Sequence, residues 1–189
     1  MKTWNKPKVI KTKRFVLKPL RPSHATQKYL NWLRDEVVDR QITSAKRTRS
    51  VRDLQKIIRK FSRLKNCMFL RILEKKQHQH IGNIKYHPID LNKRVAVMGI
   101  LIGEPFWRGK GAAKEVLDNT AKYLRLVVGI QKIYLGVARK NHSAIKAYQK
   151  TGFKNINRWG DGKKPRSGQK IMVWKLTSIH KKRFTKVKS

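Results

Sequence analysis

Apolar positions along this chain follow two periods, and the alternation between them marks out the elements. Val51, Leu54, Ile57, Ile58, Phe61 and Leu64 recur at helical spacing, with Arg52, Lys56, Arg59, Lys60 and Arg63 on the opposite side. Ser50 followed by Asp53 supplies a capping-box-like start, so an amphipathic helix is predicted over 51–66. Upstream, the alternation at 14–18 predicts a first strand, closed by Pro19 and Pro22. Tyr29, Leu30 and Leu33 then share one side of a helix running from Ser23 or His24 to Arg34, and 35–41 reads as a second short helix.

Beyond residue 66 the period changes to two. Strands are predicted over 67–73, 81–89 and 94–102, joined by polar turns at 74–80 and 90–93. From Gly109 the pattern is helical again, with Ala112, Val116, Leu117, Thr120, Ala121 and Leu124 as the inner stripe. A strand follows over 132–137, then a helix over 143–151 stopped by Gly152, and a strand over 153–159. A loop rich in Gly, Pro and Lys covers 160–168 and returns to a strand over 169–175. No internal repeat or domain boundary interrupts this order, which predicts an α/β (α+β) domain around one sheet over 1–177, with a basic tail at 178–189.

Composition adds two constraints. A length of 189 residues with 39% apolar content suits one compact domain with a sizeable core. Lys and Arg total 48 against ten acids, a net charge of +38, with no acid before Asp35 or after Asp161. Such a surface attracts polyanions, and non-specific nucleic-acid binding is one expected consequence; an organism-wide bias toward basic proteins is the other account. Cys67 is the only cysteine, so no intrachain disulfide forms, in keeping with a reducing compartment. Residues 1–14 have no apolar segment of a secretory signal, and the longest apolar run, 95–103, is too short to span a bilayer; a soluble cytoplasmic protein is expected.

Two segments carry chemistry. In Arg108-Gly109-Lys110-Gly111-Ala112-Ala113, two glycines flank a lysine where a strand gives way to a helix. Such glycines let backbone approach a ligand, and the unpaired amides and positive end of the new helix suit a pyrophosphate, with Arg108 and Lys110 adding formal charge. A Walker loop is excluded because five residues separate Gly103 from Gly109 and Gly111 follows Lys110; a dinucleotide fingerprint is excluded by Lys114. A plain glycine-rich turn remains the structural alternative. In the second segment, 141–153, Asn141 precedes a helix whose Ala144, Ala147 and Tyr148 share a face. Tyr148 is there either a proton donor or a core aromatic. His78 and His80 read as solvated turn residues, and no metal is expected.

In this order and spacing the two segments resemble the GNAT superfamily of acetyl-CoA-dependent N-acetyltransferases. Arg108, Gly111 and Ala113 match its first motif; Asn141, Ala144, Tyr148, Gly152 and Phe153 match its second. The resemblance extends over 15–175 and implies a single mixed, mostly antiparallel central sheet with flanking helices. It further implies that strand 95–102 splays from strand 132–137 and that the pantetheine arm lies in the gap against Ile100, Leu101 and Ile102. Arg108, Gly109, Lys110, Gly111, Ala112 and Ala113 would then hold the pyrophosphate, with Asn141, Ala144 and Tyr148 completing the coenzyme site. An amine would attack the thioester directly while Tyr148 protonates the departing thiolate. Trp32, Tyr86 and His87 are the implied acceptor contacts, and a monomer or homodimer the expected state.

A narrower likeness lies in Leu20-Arg21-Pro22, Tyr29-Leu30-Asn31-Trp32-Leu33 and Asp35-Glu36-Val37, which resemble the branch of ribosomal-protein and amino-sugar acetyltransferases. Ile81-Gly82-Asn83-Ile84 with His87-Pro88-Ile89-Asp90 is similar to members acting on nucleotide-linked amino sugars. The chain departs from a related type in having Gly136 where a glutamate is expected. Glu104, His87 and Asp90 are the substitutes, Glu104 serving either as a base or as a salt-bridge partner to the cationic turn. The charge disfavours basic peptides as acceptors and suits a phosphate-bearing amino sugar; a ribosomal-protein N-terminus, or another protein or small amine, is the alternative acceptor. A nucleic-acid-binding module on a degenerate acetyltransferase scaffold is the alternative of another class, supported by the basic face 52–63, Lys163–Arg166 and the tail.

Overall fold

The computed structural model describes residues 4–35 and 48–176. Eight strands form one sheet: β1 (Ile10–Lys11), β2 (Phe15–Pro19), β3 (Met68–Glu74), β4 (His80–Asp90), β5 (Val95–Ile102), β6 (Lys132–Ala138), β7 (Lys154–Ile156) and β8 (Gln169–Lys175). Their order is β1-β2-β3-β4-β5-β6-β8-β7, and every neighbouring pair is antiparallel except β5 with β6. The mixed, mostly antiparallel sheet implied by the resemblance is therefore present. Among the described residues four α-helices flank it: α1 (Gln27–Arg34), α2 (Val51–Arg63), α3 (Ala112–Tyr123) and α4 (His142–Thr151).

Local chemistry sets the helix boundaries. Ser50 Oγ accepts from the Asp53 amide at 3.1 Å while the Asp53 carboxylate accepts from the Ser50 amide at 3.1 Å, the reciprocal cap the sequence announces for α2. The predicted extension of α2 to residue 66 fails because Leu64 turns to extended backbone. Likewise α1 starts at Gln27 behind Thr26, whose hydroxyl accepts from the Tyr29 amide, so residues 22–24 form a separate tight turn instead of its first turn. The short helix expected over 35–41 and the basic tail lie outside the described residues, apart from Asp35.

The two sheet faces bury different clusters. On one, Ala112, Val116, Leu117, Ala121 and Leu124 of α3 and the turn after it pack with Ile145 of α4 onto Ile84, Tyr86, Ala96, Ile133 and Leu135. On the other, Tyr29, Trp32 and Leu33 of α1 pack with Leu54 and Ile58 of α2 against Leu101. Tyr86, implied as an acceptor contact, belongs to the first face: it is fully buried, with its hydroxyl 2.7 Å from Thr120 Oγ1. Strand alternation decides this, since Asn83, Lys85 and His87 take the opposite face. Tyr86 is a core residue, and the expectation is corrected.

One tie joins the amino-terminal hairpin to α3. Glu115 accepts from Thr12 Oγ1 (2.6 Å), the Arg14 amide (2.7 Å) and Arg14 Nε (2.7 Å), while Arg14 Nη1 donates to the Lys110 carbonyl at 3.0 Å. Burial would raise the Glu115 pKa, but the hydrogen bonds from Thr12 and Arg14 outweigh it and hold the carboxyl below its ordinary value. A depressed carboxylate stabilises the fold above its unfolded pKa, and that stability is lost as pH falls through the folded value. Glu115→Gln is expected to cost about 1–3 kcal/mol at pH 7, the range for hydrogen bonds to a charged group discounted for the partly exposed Arg14. Urea titrations should show the deficit closing as pH drops below the ordinary 4.5 of a glutamate.

Candidate active site

The parallel strands β5 and β6 pair only through Val95 with Lys132, Ala96 with Ile133 and Val97 with Tyr134. Beyond Val97 they part, while β6 remains fully paired to β8 on its other side. The gap opens into a cleft of about 530 Å³ lined by Met98, Gly99, Ile100, Leu101 and Ile102 from β5 and Leu135, Gly136, Val137 and Ala138 from β6. Backbone amides and carbonyls of β5 face that gap without strand partners, the edge on which an extended ligand can add as a strand.

At its wide end lies the glycine turn. Gly109 (φ +72°) and Gly111 (φ +74°) both adopt left-handed backbone, and a Cβ at Gly109 would meet nothing within 4 Å. Gly111 caps α3 without a side-chain hydrogen bond, leaving the amides of the first turn for a ligand. The two cations beside it are differently employed. Arg108 donates to the carbonyls of Ile102 (3.1 Å) and Gly103 (2.9 Å) and pairs with Asp35 at 2.9 Å, bracing the end of β5. Its expected role as free formal charge is therefore corrected. Lys110 lies exposed over the Phe106 ring at 3.2 Å. Arg14, through its bond to the Lys110 carbonyl, is the support that sequence reading missed.

Across the cleft, α4 presents Ala144, Ala147 and Tyr148. Asn141 Oδ1 accepts from the Ala144 amide at 3.1 Å and from Ser143 Oγ at 3.0 Å, which fixes the start of the helix and hence its facing side. Tyr148 packs at 5.7 Å from Phe153, and burial pushes its phenol up to about 12. The group is protonated at neutral pH and can donate.

The remaining implied residues fall elsewhere. Glu104 accepts from Trp32 Nε1 (3.2 Å) and Gln79 Nε2 (3.3 Å) and pairs with Lys28 at 2.9 Å; it does not line the cleft. Of its two roles weighed from sequence, the geometry gives the salt bridge, and catalysis by Glu104 is corrected. Trp32 is 6% exposed and presses on Gly103, where an added Cβ would lie 2.0 Å from the ring; it forms a wall behind the site, while Tyr29 and Leu33 of the same helix reach the cleft. His87 stacks edge-on with Phe61 at 5.2 Å, outside the cleft lining. His80 is not a solvated turn residue: its Nε2 lies 3.0 Å from both Gly82 O and Asn83 Oδ1, and its ring meets Trp32 at 5.1 Å. The volume of a strand glutamate at Gly136 is taken by Gln169, whose Nε2 lies 2.2 Å from a Cβ built there. Among the described residues no Asp or Glu lines the cleft.

A mostly antiparallel sheet splayed at a single parallel pair, with a glycine turn at the open end, defines the acyl-CoA N-acyltransferase architecture. The profile of the Acetyltransferase (GNAT) domain matches residues 14–154, and the chain belongs to that family. The spermidine N(1)-acetyltransferase of Vibrio cholerae is 32% identical over 82 residues, 43% of this chain and 47% of that protein, so the match spans about half the length of this relative. A chimera of Vibrio cholerae spermidine N-acetyltransferase SpeG with hSSAT superposes at a TM-score of 0.71 with 20% identity, covering 87% of this chain and 96% of the other. An acetyltransferase (GNAT family) from Bacillus anthracis superposes at 0.72 with 15% identity over 89% and 98%. A dodecameric structure of the Vibrio cholerae enzyme superposes at 0.68 with 18% identity over 90% and 99%. At these identities the structures speak for the fold. No helix among the described residues is long and apolar enough to cross a membrane.

Proposed function

We propose that this protein transfers the acetyl group of acetyl-CoA to the primary amine of a small molecule in a ternary complex. The observation that carries the reading is the splayed β5–β6 gap with left-handed Gly109 and Gly111 at one end and a protonated Tyr148 across it. In this reading the unpaired backbone around Ile100, Leu101 and Ile102 holds the pantetheine arm. The amides after Gly111 hold the diphosphate, and Asn141, Ala144 and Ala147 form the opposite wall. The amine nitrogen attacks the thioester carbonyl, the N–C bond forms, and the C–S bond breaks with its electron pair leaving on sulfur. Tyr148 Oη gives that sulfur its proton and is reprotonated from solvent, to which the amine has lost its own.

Because the described cleft wall lacks a carboxylate, the rate enhancement rests on positioning of a neutral amine and on Tyr148, not on a side-chain base. A small-molecule acceptor is supported by the pocket of about 530 Å³ that reaches beneath α1 and α2 and by the relative that acts on spermidine. The likeness of residues 20–37 and 81–90 to ribosomal-protein and amino-sugar enzymes supports other acceptors, including a phosphate-bearing amino sugar.

The reading is tested by thermal unfolding with acetyl-CoA. A ligand of the native state at a hundred times its Kd is expected to add about 2.7 kcal/mol of stability. No upward shift of Tm at millimolar acetyl-CoA removes the coenzyme, and with it the reaction.

A further inference from the structure

The pocket continues from the splayed strands across the sheet face beneath α1 and α2, where its lining includes Lys85 and Asn83. Lys85 projects from β4 directly opposite Gly99 of β5. Its ammonium stands 3.7 Å from the Phe61 ring centroid and 5.7 Å from that of Phe69, and it has no ion pair among the described residues. Asn83, two residues earlier on the same face, is 3% exposed; its Oδ1 is engaged with His80, while its buried Nδ2 has no hydrogen-bond partner. Arg71, opposite Asn83 on β3, likewise has a buried Nε with no partner. Gly99 leaves open space beside them, with nothing within 4 Å of a Cβ built there.

An ammonium without an ion pair and a buried amide donor without a partner, both lining one pocket, are costly unless something accepts from them. Burial lowers the Lys85 pKa from its ordinary value, so the pocket by itself disfavours the charged ammonium. The atoms left without a hydrogen bond or ion pair here, Lys85 Nζ and Asn83 Nδ2, are donors, so the partner that suits both is an acceptor, and negative charge on it offsets the ammonium.

We infer that Lys85 and Asn83 form an anion subsite of the acceptor pocket, so that the amine substrate also carries a carboxylate or phosphate. The inference rests on the transferase reading above. Gly99 lies two residues beyond the last β5–β6 pair, on the gap that would receive the thioester, and Lys85 is one strand away, about 4.8 Å. The amine and the anion therefore lie within the span of one small molecule. A polycation such as spermidine would set an ammonium against Lys85 with no carboxylate in the described lining to hold it.

The test compares four primary amines as acceptors for the whole protein: 3-aminopropanoate, 3-aminopropyl phosphate, propylamine and spermidine, with release of coenzyme A thiol as readout. At least one anionic amine should exceed propylamine and spermidine by tenfold or more in kcat/KM. Which of the two leads distinguishes carboxylate from phosphate. Lys85→Met should raise KM for that acceptor at least tenfold and erase the preference, while the Tm shift with acetyl-CoA persists. A second readout needs no variant: the N-acetylated anionic product should raise the wild-type Tm more than N-acetylpropylamine does. Spermidine or propylamine matching the anionic amines, or a preference that survives Lys85→Met, overturns the subsite while leaving the transferase intact. Acetyl-CoA binding without acetylation of any of the four overturns the subsite for a small anionic amine, whereas no Tm shift with acetyl-CoA overturns the transferase reading and the subsite together.

Discussion

Gly111→Asp is expected to raise the Kd for acetyl-CoA at least a hundredfold, a loss of about 2.8 kcal/mol at about 1.4 kcal/mol per tenfold. The residue caps α3 in left-handed backbone (φ +74°, ψ 9°), so the first-turn amides and the positive end of the helix point into the same small volume. A carboxylate there occupies that volume with the charge the site is built to receive and repels a diphosphate arriving later. Aspartate is among the side chains that tolerate left-handed backbone, and a Cβ at 111 stands 3.8 Å from Arg14 Nη2, which can pair with the new charge. The variant should therefore fold, with the loss confined to binding.

Gly111→Ala separates the two causes. It carries the backbone strain, about 1–2 kcal/mol of stability, without the charge. Calorimetric titration should find the alanine variant binding within about tenfold of wild type and the aspartate variant far weaker. Equal affinities for the two would mean that no anion sits at this turn.

The same contrast between local and tertiary information explains what the chain disclosed before it was folded. Where a fact lives in sequence neighbours, it was legible: the Ser50–Asp53 reciprocal cap, the apolar stripe of α3, the stop at Gly152 and the β8 boundaries all lie where their spacing puts them. Of the motif residues, Arg108, Gly109 and Ala113 on one side and Asn141, Ser143, Ala144, Ala147 and Tyr148 on the other line the cleft, whereas Lys110, Gly111 and Ala112 do not, Ala112 being buried in the core. Strand parity was the first blind point. Alternation tells that Tyr86 and His87 face opposite ways, but not which face the helices α1 and α2 cover, so Tyr86 was assigned to the wrong side.

Long-range pairing was the second. The Arg14–Glu115 tie spans about a hundred residues, and nothing near Glu104 reveals that Lys28, Trp32 and Gln79 converge on it. Asn83 and Lys85 stood inside a segment whose wording suggested a family branch, yet their meaning depends on the register that sets Lys85 beside Gly99. A lysine and an asparagine amid the strand-forming residues of β4 were the available signal, since buried polar groups on a strand need a reason.

The other large expected effect falls on turnover. Tyr148→Phe should lower kcat about a hundredfold, the lower end of what a positioned acid contributes, and leave the acetyl-CoA Kd within about twofold. The ring shape is retained, so its packing against Phe153 and the α3 face persists and the fold has no reason to change. What goes is one proton. With the phenol raised by burial, wild-type Tyr148 holds that proton at neutral pH and passes it on only as negative charge builds on the leaving sulfur. Coenzyme affinity is insensitive because the proton is needed only as the C–S bond breaks, an interaction of the transition state and not of the ground state.

The leaving group supplies the decisive arm. An acetyl thioester whose thiol is more acidic departs without a donor, so the gap between wild type and Tyr148→Phe should shrink as the thiol pKa falls. A gap that stays constant across thiols would assign Tyr148 to positioning. An unchanged kcat with acetyl-CoA itself would remove Tyr148 from the chemistry and leave the thiolate to be protonated by water entering along the open β5 edge.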